Sequence, residues 1–406
     1  MQKFDPEQLL SEARREFGPH GDVNPSVSRS STFTVSEPCD MADIFKGIKG
    51  PDADGCYLYS RHGNPTVKVL ARYLAAMEGT EAAHCTASGM SAISCTLSQL
   101  CKTGDHIVAS DTIYGGTHAL LGDLFPEMAI STTFVDVTDL SAVAAAIQKT
   151  TRVIYVETVG NPTLKVADIP ALSKLAREKG ILLVVDNTFT PMIFSPARLG
   201  ADMVLYSMSK FINGASDAIA GAVCAGSEFI GKLVNMRTGR AMLLGPTLDA
   251  RTAFDLIQRL PYLALRMREH GRRALAIASR LEDSGVTVRY PGLSSHPQYR
   301  LFRSMMNEGY GYGGMLTVDC GTVEKAEALM RVLQNQEHFG LLAVSLGYYD
   351  TLISCSGSST SSEIPPESQR AIGLSPGLVR FSVGITGSLE SRLAQITRAI
   401  KTVGLA

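Results

Sequence analysis

The chain has 406 residues, 45% of them hydrophobic and 19% charged, with a formal net charge of −1. That composition belongs to a globular protein with a sizeable core and more than one domain, and its charge balance does not favour nucleic acid or an anionic membrane as a partner. The eight cysteines form no C-x-x-C pair, which argues against a zinc ribbon or a thioredoxin-type motif and for a reducing, cytoplasmic setting; no signal peptide or membrane span is expected.

Residues 1–62 are rich in Pro, Gly, Ser and Thr and show little periodicity. They predict an extended arm with a short helix over residues 6–17. The arm carries Phe33, Ile44, Phe45 and Tyr57 with no local core, so it is expected to pack on something. From Asn64 onward, helices are predicted over residues 66–77, 88–100, 115–124, 140–147 and 169–178. Strands are predicted over residues 106–109, 133–135, 153–157, 181–186, 203–207 and 220–224. Short apolar runs alternating with helices predict an α/β domain over residues 63–262, with a mostly parallel sheet covered on both faces. A long amphipathic helix over residues 263–281 then opens a smaller α+β domain, residues 263–406. It has strands near 316–318 and 379–383 and helices near 323–333 and 389–403. Residues 354–362 are Ser-rich and read as a linker by composition.

The chemistry concentrates at Ser207-Met208-Ser209-Lys210-Phe211 and at Asp186, which ends the apolar run Ile181-Leu182-Leu183-Val184-Val185. A lysine flanked by hydroxyls, with a carboxylate at a strand end upstream, is what pyridoxal 5'-phosphate requires. The lysine forms the Schiff base, the carboxylate keeps the pyridine nitrogen protonated, and the hydroxyls hold the phosphate. Ser88-Gly89-Met90-Ser91 opens a helix after a small-residue turn, which suits either a simple Ser cap or a phosphate at the helix N-terminus. Tyr114-Gly115-Gly116 follows a strand and could place an aromatic ring on a cofactor. Asn161-Pro162-Thr163 is a turn beyond Glu157. Arg61 and Arg380 can each fork onto an anion; in an apolar strand, Arg380 suits a substrate carboxylate or a structural ion pair. Gly309-x-Gly311-x-x-Gly314 matches a dinucleotide fingerprint letter for letter. A strand-like run follows it instead of a helix, which excludes that reading. The eight histidines show no H-x-x-x-H spacing, so no metal site is expected.

Together these residues resemble the cysteine and methionine metabolism family of fold-type I pyridoxal-phosphate enzymes, over residues 16–389. The closer likeness is to methionine gamma-lyases of the plant type. It is carried by Tyr59-Ser60-Arg61-His62, by Ser88 to Ser94, by Tyr114 to Leu121 and by Ser345-Leu346-Gly347-Tyr348-Tyr349 through Ser362-Glu363. The resemblance implies a fold-type I PLP-transferase and a role for each matching position. Lys210 is the Schiff-base lysine and proton shuttle. Asp186 pairs with the pyridine nitrogen. Tyr114 stacks on the ring and protonates the leaving thiolate. Gly89, Met90, Ser207 and Ser209 hold the phosphate, and Asn161 lies near the ring hydroxyl. Tyr59 and Arg61 reach the phosphate in a neighbouring subunit, so the shared site needs a dimer, and the resemblance implies a homotetramer built from two such dimers. Arg380 grips the substrate carboxylate with Ser345, and Thr360 orients Arg380, so the Ser-rich stretch becomes a site loop. Two positions depart from common family patterns: Gly116 replaces a cysteine frequent in bacterial methionine gamma-lyases, and Ala215 replaces a frequent histidine.

Cystathionine gamma-lyases place acidic residues where this chain has Leu58 and Val344. An apolar pocket suits a thioether methyl and leaves a distal ammonium without its partner. The expected reaction is therefore gamma-elimination of L-methionine to methanethiol, 2-oxobutanoate and ammonia. The alternatives are a cystathionine gamma-lyase, a cystathionine gamma-synthase or O-acylhomoserine sulfhydrylase, and a cofactor-binding protein without catalysis. The last is disfavoured because the lysine, aspartate, tyrosine and arginine are all present.

Overall fold

The computed structural model describes residues 4–15, 21–50, 56–355 and 374–406. Its large sheet contains β1 (Ala82–Thr86), β2 (His106–Ser110), β3 (Ser131–Val135), β4 (Thr151–Glu157), β5 (Leu182–Asp186), β6 (Met203–Ser207) and β7 (Gly221–Ala225), in the order β1-β7-β6-β5-β4-β2-β3. β3, β2, β4, β5 and β6 run parallel, and β7 is antiparallel to both β6 and β1. The apolar runs are continuous because both faces are covered. Along β5, Leu183 and Val185 enter one core while Val184 enters the other, the period of two that a pleated strand imposes.

The chain leaves β2 for the edge strand β3, then returns across β2 to start β4. Strand order therefore reverses between β2 and β4, and the carboxyl ends on either side of such a reversal are where open α/β sheets bind ligands. Helices bridge the parallel strands. The helix Pro65–Glu78 starts at Asn64, whose side chain accepts the amides of Thr66 and Val67, and it stops at Gly79 with φ 78°. Gly89–Leu100 follows β1 directly.

The smaller sheet contains β8 (Val288–Arg289), β9 (Met315–Asp319), β10 (Leu341–Leu342), β11 (Leu352–Cys355) and β12 (Leu378–Ser382), in the order β10-β11-β12-β9-β8. Helix Leu263–Asp283 spans both units: Leu263, Ala264 and Met267 belong to the large core, and Ala274, Ile277, Ala278 and Leu281 to the small one. Residues of the later chain, Phe302, Met305 and Tyr310, also return to the large core. On β12, Val379 and Phe381 face the small core, so the alternation turns Arg380 toward the large unit.

Several elements differ from the sequence expectation. β1 was not expected: Ala82-Ala83-His84-Cys85-Thr86 has one β-branched residue, and the strand exists through its pairing with β7. The expected helix over residues 115–124 is α-helical over Gly115–Ala119 and widens to a π turn over Leu120–Leu124. In the arm, the first helix is Pro6–Ala13, with Leu10 buried in the large core. A second helix, Pro38–Phe45, buries none of its residues and leaves Met41 and Phe45 exposed. The start of the Ser-rich stretch is β11, and residues 356–373 lie outside the described residues.

One buried polar contact under the large sheet makes stability depend on pH. Glu78 accepts a hydrogen bond from the Tyr206 hydroxyl and another from the Ala197 amide, 3.0 Å long. Burial pushes its carboxyl up from about 4.5 to about 8, against the pull of those hydrogen bonds. The folded state therefore binds a proton that the unfolded chain releases near its ordinary value. Stability is highest below that value and falls as pH rises toward 8. Glu78→Gln, which cannot ionise, is expected to flatten this fall by a few kcal/mol, on the order allowed by a shift of this kind. Urea unfolding of both proteins at pH 5 and pH 8.5 checks it; parallel losses of stability would remove the assignment.

Candidate active site

Four carboxyl ends converge on one cavity of about 400 Å3. After β2 comes Tyr114, at the end of β4 stands Glu157 with Asn161 just beyond, β5 ends on Asp186, and β6 ends on Ser207. Glu157 and Asp186 are register partners across β4 and β5. Asp186 accepts the Thr188 amide at 2.9 Å and the Tyr155 hydroxyl at 3.4 Å. Burial raises the pKa of both carboxyls, and the charge of Asp186 adds to the shift at Glu157. A cationic ring nitrogen beside Asp186 would supply the missing counter-charge.

Lys210 sits in the turn after β6, and its ε-amine donates to Ser345 Oγ at 2.9 Å. Burial, and then the charge of Arg380, hold that amine below the ordinary lysine value. Arg380 is buried on β12. Its Nη1 donates to Asn161 Oδ1 at 3.0 Å and its Nη2 to the Ser345 carbonyl at 3.1 Å. Burial lowers its guanidinium to about 10, with Glu157 acting in the opposite sense, so it stays charged at neutral pH. Both contacts are to neutral acceptors, and among the described residues no carboxylate pairs with it within 4.0 Å, which leaves its charge free to meet an anion. Ser345 joins the two cations, and its backbone adopts φ 148°, a region L residues rarely enter and one that concentrates at functional sites. Next to it, Gly347 has φ 79°, and a Cβ there would lie 2.4 Å from the Phe211 amide nitrogen. The loop is thus pressed onto the lysine turn.

The opposite end of the cavity is built for an anion. Ser88 caps helix Gly89–Leu100, with its hydroxyl accepting the Ser91 amide at 3.1 Å and the Ser91 hydroxyl accepting the Ser88 amide at 3.0 Å. The amides before Ser91 have no intrahelical acceptor. A Cβ on Gly89 would lie 2.7 Å from Ser207 Cβ, so only a glycine lets the helix start so close to the hydroxyl-bearing turn. Met90, Ser207 and Ser209 complete this end. The Tyr114 ring is 44% exposed at the cavity wall and leans over Gly116, where a Cβ would meet its Cε1 at 2.7 Å. A larger residue at 116 would push the ring aside. An anion cradle, a flat aromatic wall, a buried carboxyl and an amine of depressed basicity together fit pyridoxal phosphate.

Of the residues expected from sequence, Gly89, Met90, Tyr114, Asn161, Asp186, Ser207, Ser209, Lys210, Val344, Ser345 and Arg380 line this one cavity. Leu58, Tyr59 and Arg61 do not line it in their own chain. The Leu58 carbonyl accepts the Phe33 amide at 2.8 Å, and Arg61 donates to the Met242 carbonyl at 3.2 Å while its guanidinium lies 5.6 Å from the Tyr59 ring centre. Thr360 lies outside the described residues. Among the lining residues that sequence reasoning missed are Glu157, Val159, Thr188, Phe189 and Ile219. Glu157 ends the apolar run Val153-Ile154-Tyr155-Val156 just as Asp186 ends its own, and that parallel was the available signal. Among the described residues, no group of three or more His, Cys, Asp or Glu side chains could hold a metal, and no helix is long and apolar enough to cross a membrane.

Residues 8–399 match the family described as Cys/Met metabolism PLP-dependent enzyme. The chain is 56% identical over 397 residues to methionine gamma-lyase of Arabidopsis thaliana, covering 97% of this chain and 90% of that protein. It is 36% identical to cystathionine gamma-lyase of Bacillus subtilis, covering 95% and 98%. The crystal structure of cystathionine gamma-lyase from Lactobacillus plantarum superposes with a TM-score of 0.88 at 31% identity, covering 99% of this chain and all of that one.

Proposed function

Because the chain belongs to the Cys/Met metabolism PLP-dependent enzyme family, we propose that it is a carbon–sulfur lyase that converts L-methionine and water to methanethiol, 2-oxobutanoate and ammonia. The observation that carries the substrate choice is the apolar mouth of the cavity. Ile219 and Val344 line it and are 71% and 66% exposed. A thioether methyl is at home there, whereas the distal ammonium of cystathionine finds no charge partner and would be desolvated once a neighbouring subunit covers this mouth. The 56% identity to a methionine gamma-lyase supports the same choice.

Pyridoxal phosphate, when bound, supplies the electron sink that lets bonds at the amino-acid α- and β-carbons ionise. Asp186 holds the ring nitrogen protonated, and Gly89, Met90, Ser207 and Ser209 hold the phosphate. Arg380, with Ser345, grips the substrate carboxylate and so orients the Cα–H bond. Lys210 takes the protons from Cα and Cβ; its lowered basicity leaves more neutral amine at neutral pH. Tyr114 gives a proton to the departing sulfur, which would otherwise leave as a thiolate.

Leu58, Tyr59 and Arg61 act on a neighbouring subunit's cavity in this reading, with Arg61 on the phosphate. The exposed Met41, Phe45 and Ile48 of the arm support this, since a second copy would cover them. Two such dimers make the tetramer, and the eight free cysteines suit a cytoplasmic setting. The arm, residues 1–62, the cofactor domain, 63–262, and the C-terminal domain, 263–406, are the corresponding units, and Thr360 is assigned to orient Arg380.

The test is 2-oxobutanoate release by the cofactor-loaded protein from L-methionine and from L-cystathionine. Methionine is expected to be preferred. Val344→Glu is expected to move the ratio of kcat/KM toward cystathionine by about 10-fold or more, the effect of giving one desolvated ammonium a partner. A wild-type protein that prefers cystathionine, or turns over neither without an added thiol acceptor, would transfer the assignment to the lyases of cystathionine or to the synthases.

A further inference from the structure

Two carboxyls stand side by side at the ends of β4 and β5, and the chemistry described so far employs only Asp186. Its partner Glu157 is 8% exposed and lines the cavity. Both Glu157 oxygens are committed: Oε1 accepts the Tyr114 amide at 2.7 Å and Oε2 accepts the Asn161 amide at 3.0 Å. Those amides belong to different connections, one following β2 and one following β4, on the two sides of the strand-order reversal. Asn161 then accepts Arg380 Nη1 on its side-chain oxygen, and Arg380 comes from the sheet of the small unit. One carboxyl thus connects the aromatic wall of the cavity, the loop beside the cofactor ring, and the arginine across the domain junction.

We propose that Glu157 is a positioning residue: it sets the distance between the Tyr114 ring and the Arg380 guanidinium by clamping both loop amides at once. Only a carboxyl at this point can do so, since the task needs two acceptor oxygens, one for each loop. The burial of the group beside Asp186 is tolerated because both oxygens are satisfied. The roles given to Tyr114 and Arg380 rest on the lyase reading; the clamp itself rests on geometry.

The deciding variant is Glu157→Gln. It keeps the volume, but its amide nitrogen must face one of the two backbone N–H groups, so one anchor is lost. Glu157→Asp, one methylene shorter, keeps two acceptors yet reaches only one loop. Three measurements use the cofactor-loaded protein. The first is the visible circular dichroism of bound pyridoxal phosphate, which reads the ring against Tyr114. The second is the Kd of L-norleucine, which has the shape of methionine without a leaving thiol and reads Arg380. The third is kcat and KM for methionine. For Glu157→Gln the dichroic band is expected to change, norleucine to bind several-fold more weakly, and kcat to fall roughly 10- to 100-fold, the scale of an ångström-sized misplacement. A structural anchor alone would lower the melting temperature and leave these readouts in place. Unchanged dichroism and norleucine affinity in Glu157→Gln therefore overturn the proposal. If the unaltered protein does not turn over methionine, the lyase reading fails, while the dichroism still decides the clamp without any substrate.

Discussion

Lys210→Ala is expected to remove methionine turnover by on the order of 10³-fold or more, since a positioned acid–base group alone contributes about 10²–10⁴ and, in the proposed mechanism, this lysine would also anchor the cofactor covalently. The side chain is held for both tasks. It leaves the end of β6 in a turn whose Gly214 amide donates to the Lys210 carbonyl at 2.8 Å, and its Nζ donates to Ser345 Oγ. Two arginines brace the segment that follows. Arg266 donates to the carbonyls of Phe211 and Ile212, at 2.5 and 2.9 Å, and Arg259 pairs with Asp217 at 2.6 Å. The turn therefore survives truncation of the lysine, and folding should too. Lys210→Arg is expected to be as inactive as the alanine variant, because a guanidinium stays protonated and cannot carry protons between substrate carbons. Single-turnover release of 2-oxobutanoate, together with the visible band of the cofactor, measures both losses. Retention of more than about a tenth of the activity in Lys210→Ala would be far outside the range for a general base and would end the assignment.

Much of this arrangement was legible in the sequence because the informative residues sit where apolar runs stop. Met203–Ser207 is a strand with the expected bounds, and Asp186 and Lys210 follow from where β5 and β6 end. The helices Pro65–Glu78 and Leu389–Thr402 lie within a residue or so of their expected bounds, 66–77 and 389–403. What escaped has a physical cause in each case. β1 has a single β-branched side chain and is held by its neighbour. Helix Pro38–Phe45 has no core of its own. Glu157 looks like any strand-ending carboxylate until β4 and β5 are laid side by side and it falls opposite Asp186. Ile219 lies in a small-residue loop with no periodicity and joins the cavity where that loop returns to the lysine turn, the Ala220 amide donating to Ser209 Oγ at 3.0 Å. Leu58, Tyr59 and Arg61 are legible as a motif, yet one chain alone gives them no site to act on.

Arg380→Leu is expected to cost about 2–5 kcal/mol of transition-state stabilisation, the range for truncating one partner of a buried charged contact, or roughly 30- to 5,000-fold in kcat/KM. Most of it should appear in KM, since the carboxylate is gripped in ground and transition states alike, and the remainder in kcat through misorientation of the Cα–H bond. Arg380→Lys should recover little, because a single ammonium cannot fork onto both carboxylate oxygens while keeping Asn161 and Ser345. A second consequence separates this assignment from a structural ion pair. The charge of Arg380 is one of the causes that depress the Lys210 amine, burial being the larger. Removing that charge lets the amine hold its proton to higher pH, so the neutral form appears later on the pH scale. The rate at which cofactor-free protein takes up pyridoxal phosphate requires the neutral amine. Its pH profile should therefore move upward in Arg380→Leu and stay in place in Arg380→Lys, which retains a positive charge. A profile that does not move in the leucine variant would mean that the two cations do not sense one another, and that the basicity of Lys210 is set by burial alone.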